Sequence, residues 1–363
     1  MSELRESRLV YVAPAEGRSG VGDYASDFLA SVRPHFKDVV EYRIDTEGNE
    51  TVRDVIRHVR AVRRAVREAQ ADGPVIAHFE QSAGSLSAFW AAKLPKEVPV
   101  SATIHDAPRP VWWPFKTRLL INNRILHHGV HYPLRFASEY IERWGSKGHT
   151  VIALTSIGAT EAGRYLPDTQ AYATRIFVPP RADVAPVTER PVAVGLFGHV
   201  YKGKGFDLID RLRARVDDDI DIVVAGRGTE ALPPTEGVTI LGEVNDAAED
   251  DFFGSIRYLV VPYSKDNRYG KVWAASSAVS RAYAYGTPIV CVLDGSLAET
   301  AGEGGALGVE GGIEELADAV NASVRDGETM ARLGDEVQSL RRERTIDNCA
   351  VPFLDAWRAA VGG

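Results

Sequence analysis

Lys204 and Gly205 close the stretch Phe197-Gly-His-Val-Tyr-Lys-Gly-Lys-Gly205, which leads from an apolar strand through a glycine turn to an amphipathic helix. Free backbone N–H groups, a helix N-terminus and an ammonium meet there, and together they favour a phosphate or diphosphate. An ordinary strand-to-helix turn with a surface lysine would carry the same letters. Gly226-Arg-Gly228 follows a second apolar run, where Arg227 either reaches a phosphate or only turns the chain. Ser276 and Ser277 precede an apolar-periodic helix, and amides following a serine N-cap make a second anion seat. Three or four charge-assisted hydrogen bonds, each worth about 1.5–3 kcal/mol, would hold a diphosphate at about micromolar affinity without a metal. No His/Cys cluster or D-x-D pair stands at a convincing position, so no metal is expected.

A second set of candidates lies near the start of the chain. Pro14-Ala-Glu-Gly-Arg-Ser-Gly-Val-Gly-Asp-Tyr24 follows an apolar strand, and Gly17, Gly20 and Gly22 allow close backbone approach to a ligand. Its spacing is G-x-x-G-x-G, which is not the dinucleotide fingerprint and disfavours a nicotinamide dehydrogenase. A flexible entry loop is the alternative. Glu80 and Gln81 end the run Val75–Phe79, and His105 and Asp106 end Val100–Ile104. His105 could bond a hydroxyl or shuttle a proton, with Asp106 orienting its ring, or it could be structural.

The elements that must position these residues alternate between strand and helix. The runs Leu9–Ala13, Val75–Phe79, Val100–Ile104 and His149–Leu154 read as buried strands. Asp23–Val32 and Thr51–Ala71 read as helices, the latter decorated with arginine. After the proline-rich, aperiodic stretch Pro179–Pro191, read as a linker, the alternation restarts. Its strands are Val192–Phe197, Asp221–Ala225, Val238–Leu241, Tyr258–Val261 and Pro288–Leu293, with helices including Ser277–Tyr285 and Ile313–Arg325. This pattern predicts two α/β lobes with parallel, doubly wound sheets, whose ligands sit at the carboxyl ends of strands. The expected division is 1–187, 188–345 and a C-terminal helix in 346–363 that packs back on the first lobe.

A length of 363 residues favours two domains over one. Residues 1–187 carry 24 lysines and arginines against 21 acids, while 188–363 carry 18 against 29, which argues against nucleic acid as a partner. Cys291 and Cys349 read as reduced core thiols. With no apolar run long enough to span a bilayer, a soluble, cytoplasmic protein is expected.

Taken in order, the segments resemble the retaining GT-B glycosyltransferases of the sucrose-synthase-like and lipopolysaccharide type. Gly17–Tyr24 resembles the family's glycine loop and Thr103-Ile-His-Asp106 its T-x-H-D strand end. Phe197–Gly205 resembles F-x-G-R-x-x-x-x-K-G, Val224–Gly228 I-x-G-x-G, Leu241–Asp246 L-G-x-V-x-x and Ala282–Val290 A-x-A-x-G-x-P-V-V. The resemblance implies two Rossmann-like domains facing across a cleft. It implies a nucleotide-diphospho-sugar as co-substrate, no further cofactor, and transfer with retention to a hydroxyl on a glycan, a lipid-linked or a small acceptor. Carried over by position, Lys204 holds the diphosphate, Gly20 and Gly22 approach it, and His105 contacts the transferred sugar. His199, Arg227, Ser276, Ser277 and Arg281 fall in the donor region, and Glu80, Trp112 and Trp113 in the acceptor region.

Two departures bear on the donor. The family has arginine where His199 stands, and two glutamates where Trp273 and Arg281 stand. Arginine cannot accept a hydrogen bond, so the sugar and ribose hydroxyls must be recognised differently. Trp273–Val279 instead resembles a branch with S-S-G-x-L at this helix start. A catalytically silent scaffold or regulatory subunit is therefore the alternative to an enzyme, and a sugar-nucleotide epimerase is a third reading. From Ala107 to Ser138 basic and aromatic residues occur without any acid. That composition suits peripheral contact with an anionic membrane or a phosphate-bearing acceptor, although a solvated helix face beside an acceptor loop would explain it too.

Overall fold

The computed structural model describes residues 3–362 except 18, 83, 112–116, 202 and 264–270, so Trp112 and Trp113 lie outside the described residues. The chain forms two compact units. One contains Met1–Arg175, Val272–Ala275 and Ile346–Gly363; the other contains Ile176–Lys271 and Ser276–Thr345. The first boundary thus falls at 175/176, where the sequence placed it at 187/188. The stretch expected as a linker belongs to the second unit. Arg190 fastens it there by donating to the carbonyls of Ala185, Phe253, Ile256 and Tyr285 and to Thr287 Oγ1.

The first unit is built on a six-stranded sheet of β1 (Arg8–Pro14), β2 (Asp38–Ile44), β3 (Val75–Gln81), β4 (Val100–Ile104), β5 (Thr150–Ala153) and β6 (Gln170–Ala173). The strands run parallel in the order β2-β1-β3-β4-β5-β6. β1, β3 and β4 are buried along nearly their whole length, as parallel strands covered on both faces must be. β2 and the exposed edge strand β6 escape the sequence reading, because neither carries a continuous apolar run. The helix Val52–Gln70 starts at a capping box of Thr51 and Asp54 and buries Val62, Val66 and Ala69 while its arginines face outward. The C-terminal helix Ile346–Gly362 joins this unit, with Phe353 and Trp357 packed on Phe28.

The second unit has its own parallel sheet of β7 (Ala193–Phe197), β8 (Asp221–Ala225), β9 (Val238–Gly242), β10 (Tyr258–Val261), β11 (Ile289–Val292) and β12 (Ala306–Val309). Its order is β12-β11-β10-β7-β8-β9, the doubly wound dinucleotide-fold arrangement. The chain builds β7 to β9 outward on one side and then returns to place β10 on the other side of β7, so the strand order reverses between β7 and β10. In the first unit the reversal falls between β1 and β3. These are the places where doubly wound sheets bind ligands, at the strands' carboxyl ends.

Cys291 and Cys349 are both buried and no disulfide joins them. Among the described residues, no helix is long and apolar enough to cross a membrane.

Candidate functional site

In the first unit the polar centre is a carboxylate. Register pairs Tyr11 of β1 with His78 of β3, and His78 and Glu80 with Ser101 and Thr103 of β4. All five residues therefore meet on one face of the sheet. Glu80 has no exposed surface. Its Oε1 accepts from Tyr11 Oη and lies 3.2 Å from His78 Nε2, while Oε2 lies 2.7 Å from His105 Nε2. Burial alone would raise this carboxyl; the hydrogen bonds and charges of His105 and His78 outweigh it and hold it well below the ordinary range.

The network extends away from the strand ends. Trp357 Nε1 donates to Ser101 Oγ at 2.7 Å, and Ser101 Oγ lies 2.8 Å from His78 Nδ1. An ionised Glu80 can only accept, and an indole N–H can only donate. His78 links the two, with Nδ1 facing Ser101 Oγ and Nε2 shared between Glu80 Oε1 and Thr103 Oγ1, the latter at 3.1 Å. Tyr24 closes the other side of His105 edge-on, with ring centroids 5.0 Å apart.

Tyr24 belongs to the helix Gly20–Val32, whose N-cap Ser19 accepts from the amide of Gly22. Gly20 is exposed on its first turn. Gly22 is packed so tightly that a Cβ would lie 2.2 Å from the carbonyl oxygen of Ala15. Glu47 fixes the loop from outside, accepting from Ser19 Oγ at 2.7 Å and from Ser82 Oγ at 2.8 Å. Nothing in the spacing of the sequence singles out Glu47. Arg43 adds a bond to the carbonyl of Pro14 at the root of the loop.

Glu80, expected in the acceptor region, has no exposed surface and bonds His105. Asp106 was expected to orient that ring. It starts the following turn, and its carbonyl accepts the amide of Arg109. Trp273, which stands at one of the missing glutamates, packs in this unit: its amide donates to Ala107 O and its carbonyl accepts from Thr155 Oγ1.

In the second unit the polar centre is an ammonium. Lys204 Nζ lies 3.8 Å from the centroid of the Tyr263 ring and 5.4 Å from that of Tyr201. Burial would lower its pKa, but the hydroxyls of Tyr263 and Tyr201 outweigh this and keep it above the ordinary value, so it is a cation at neutral pH. Tyr263 Oη is 3.2 Å from Ser276 Oγ, and Ser276 caps the helix Ser277–Ala284 by accepting from Val279 N. Lys204 follows β7 and Tyr263 follows β10, so this cluster occupies the strand-order reversal. Beside it the turns after β7 and β8 touch backbone to backbone. A Cβ on Gly226, whose φ is +129°, would lie 2.1 Å from Gly198 O.

The remaining donor candidates are arranged less closely. His199 is exposed. Arg227 is bonded through Nε and Nη2 to Glu243. Arg281 places Nη1 2.7 Å from both oxygens of buried Glu249, which also accepts from Tyr285 Oη and Arg181 Nε. Its guanidinium is engaged within the unit, and no sequence spacing pointed to Glu249. Among the described residues, no group of three or more His, Cys, Asp or Glu is placed to hold a metal.

No family model matches the chain, and no curated protein matches it. Solved structures do. Sucrose-phosphate synthase from Thermosynechococcus elongatus aligns over 98% of this chain and 99% of its own, with a TM-score of 0.69 and 14% identity. HepE of Anabaena, solved with UDP and glucose, aligns over 97% and 99% with a TM-score of 0.65 and 13% identity. A UDP-forming trehalose-phosphate synthase from Burkholderia xenovorans aligns over 97% and 99% with a TM-score of 0.65 and 10% identity. The structural neighbours are GT-B glycosyltransferases, and the fold of this chain is the GT-B fold.

Proposed function

We propose that the chain is a glycosyltransferase that moves a sugar from a nucleotide-diphospho-sugar to a hydroxyl acceptor, with retention and without a resident metal. The observation that carries this reading is the Lys204–Tyr263–Ser276 cluster at the strand-order reversal of the second unit. It combines a cation with the free amides of a capped helix, which is what a diphosphate requires. Solved neighbours of the same fold include one bound to UDP and glucose and one described as UDP-forming.

In this reading the second unit grips the diphosphate. His105, held by Glu80, is the group assigned to the transferred sugar. The acceptor hydroxyl forms its bond to the anomeric carbon on the face from which the diphosphate leaves. Its proton passes to the departing phosphate oxygen. The acceptor is a glycan, a lipid-linked sugar or a small hydroxyl compound.

A second reading, a catalytically silent subunit, draws on the bonding of Arg281 to Glu249 and of Trp273 to Ala107 and Thr155, which leaves neither family carboxylate replaced in kind. Titration with UDP, GDP and ADP, followed by release of nucleotide from the matching sugar nucleotides, separates the two. An enzyme binds one diphosphate, and Lys204→Met weakens it about 10- to 100-fold. His105→Ala then lowers turnover with little change in nucleotide affinity. Binding that ignores Lys204→Met removes the diphosphate site; binding without any turnover favours the silent subunit.

A further inference from the structure

The helix Arg124–Ser146 of the first unit packs on the protein toward its C-terminal end and is exposed all round over its middle turns. Ser138, Glu142 and Gly145 are buried, whereas residues 132–137 are exposed without interruption. At about 100° per residue, Ile125, Tyr132, Phe136 and Tyr140 fall within one narrow stripe of roughly 80°. They are 85%, 52%, 81% and 71% exposed. Large apolar side chains scattered singly need no explanation, but four in line along about 22 Å of helix mark an interaction surface.

Charge decides what covers it. Between Ala107 and Ser138 there are five lysines and arginines and no acid. The two acids further along the helix are occupied: Glu139 pairs with Arg143 at 2.7 Å, and Glu142 is buried against Arg109 and Tyr165. Two copies of this face would bring arginine against arginine. An anionic bilayer supplies the opposite charge and accepts tyrosine and phenylalanine at the boundary between headgroups and acyl chains. At the far end Lys93 Nζ lies 4.6 Å over the Trp144 ring, another cation beside an aromatic.

We propose that this helix is a membrane-docking surface: it lies along an anionic bilayer with Ile125, Tyr132, Phe136 and Tyr140 below the headgroups and exposed Arg118 and Arg135 among the phosphates. The proposal is independent of the donor chemistry, so either can fail alone. It is tested by flotation of the full chain with phosphatidylcholine vesicles, with and without phosphatidylglycerol, at low and high salt. Binding is expected only with phosphatidylglycerol, and weaker at high salt. Arg135→Gln should weaken it about five-fold, and Ile125→Asp with Phe136→Asp ten-fold or more. Unchanged melting and nucleotide binding show that the variants are folded. Binding indifferent to phosphatidylglycerol or to these substitutions overturns the proposal. So does a concentration-dependent dimer in ultracentrifugation that Phe136→Asp abolishes, since that would assign the stripe to a second copy.

Discussion

Around β3 a carboxylate with no exposed surface collects a tyrosine and two histidines, whereas beside β7 a single ammonium rests on a tyrosine ring among turns that only glycine can make. The first arrangement is complete in itself: its donors and acceptors satisfy one another, and its product is a histidine held in a fixed orientation. The second sets a cation beside a capped helix start and depends on backbone spacing instead. A hydrogen-bonded network is therefore sensitive to which atoms donate, and a glycine-lined turn to whether one more carbon fits.

That contrast can be broken by experiment. The largest effect is expected from Gly226→Ala, which combines a disfavoured φ with overlap on Gly198 and should cost about 4 kcal/mol in chemical unfolding. A loss below about 1 kcal/mol would mean that the turns have slack and the comparison is overdrawn. Glu80→Gln adds no heavy atom but turns an acceptor into a donor facing histidine or tyrosine, with an expected loss of about 3 kcal/mol. A neutral outcome there would show that the network is not selective for donors.

Glu142 offers a pH test outside both centres. Burial, only partly offset by Arg109 and Tyr165, pushes its carboxyl up to about 7. A raised carboxyl favours the protonated folded state, so its contribution is fully present below about pH 4.5 and is lost as pH rises through about 7. The interval corresponds to roughly 3 kcal/mol, and Glu142→Gln should flatten the slope of stability across it. Smallest is Tyr263→Phe, which keeps the ring beneath Lys204 and deletes the bond to Ser276. Nucleotide affinity should fall by about five-fold, or roughly 1 kcal/mol; a loss as large as that of Lys204→Met would transfer the main role to the hydroxyl.

The buried parallel strands were legible because their apolar runs are continuous, and Ser276 because a serine before a periodic segment has few other uses. The role of Glu80 was half legible. His78 and Glu80 alternate along β3 as Ser101 and Thr103 do along β4, a polar period of two inside apolar runs that places all four on one face. Reading β3 as an apolar run ending at Phe79 hid that signal. Glu47 and Glu249 were not legible at all, since their partners Ser19, Ser82, Arg181 and Arg281 are distant in sequence and only the folded chain brings them close.

Val272–Ala275 belongs to the first unit although the residues on either side of it belong to the second, and the C-terminal helix returns as well, so the backbone changes unit four times. No single cut in the gene can therefore release either half whole. A fragment ending at residue 175 would lack both the Trp273 strip and the indole that bonds Ser101. Domain exchange with another protein of this architecture would have to transplant three separate segments to carry the histidine-bearing half intact.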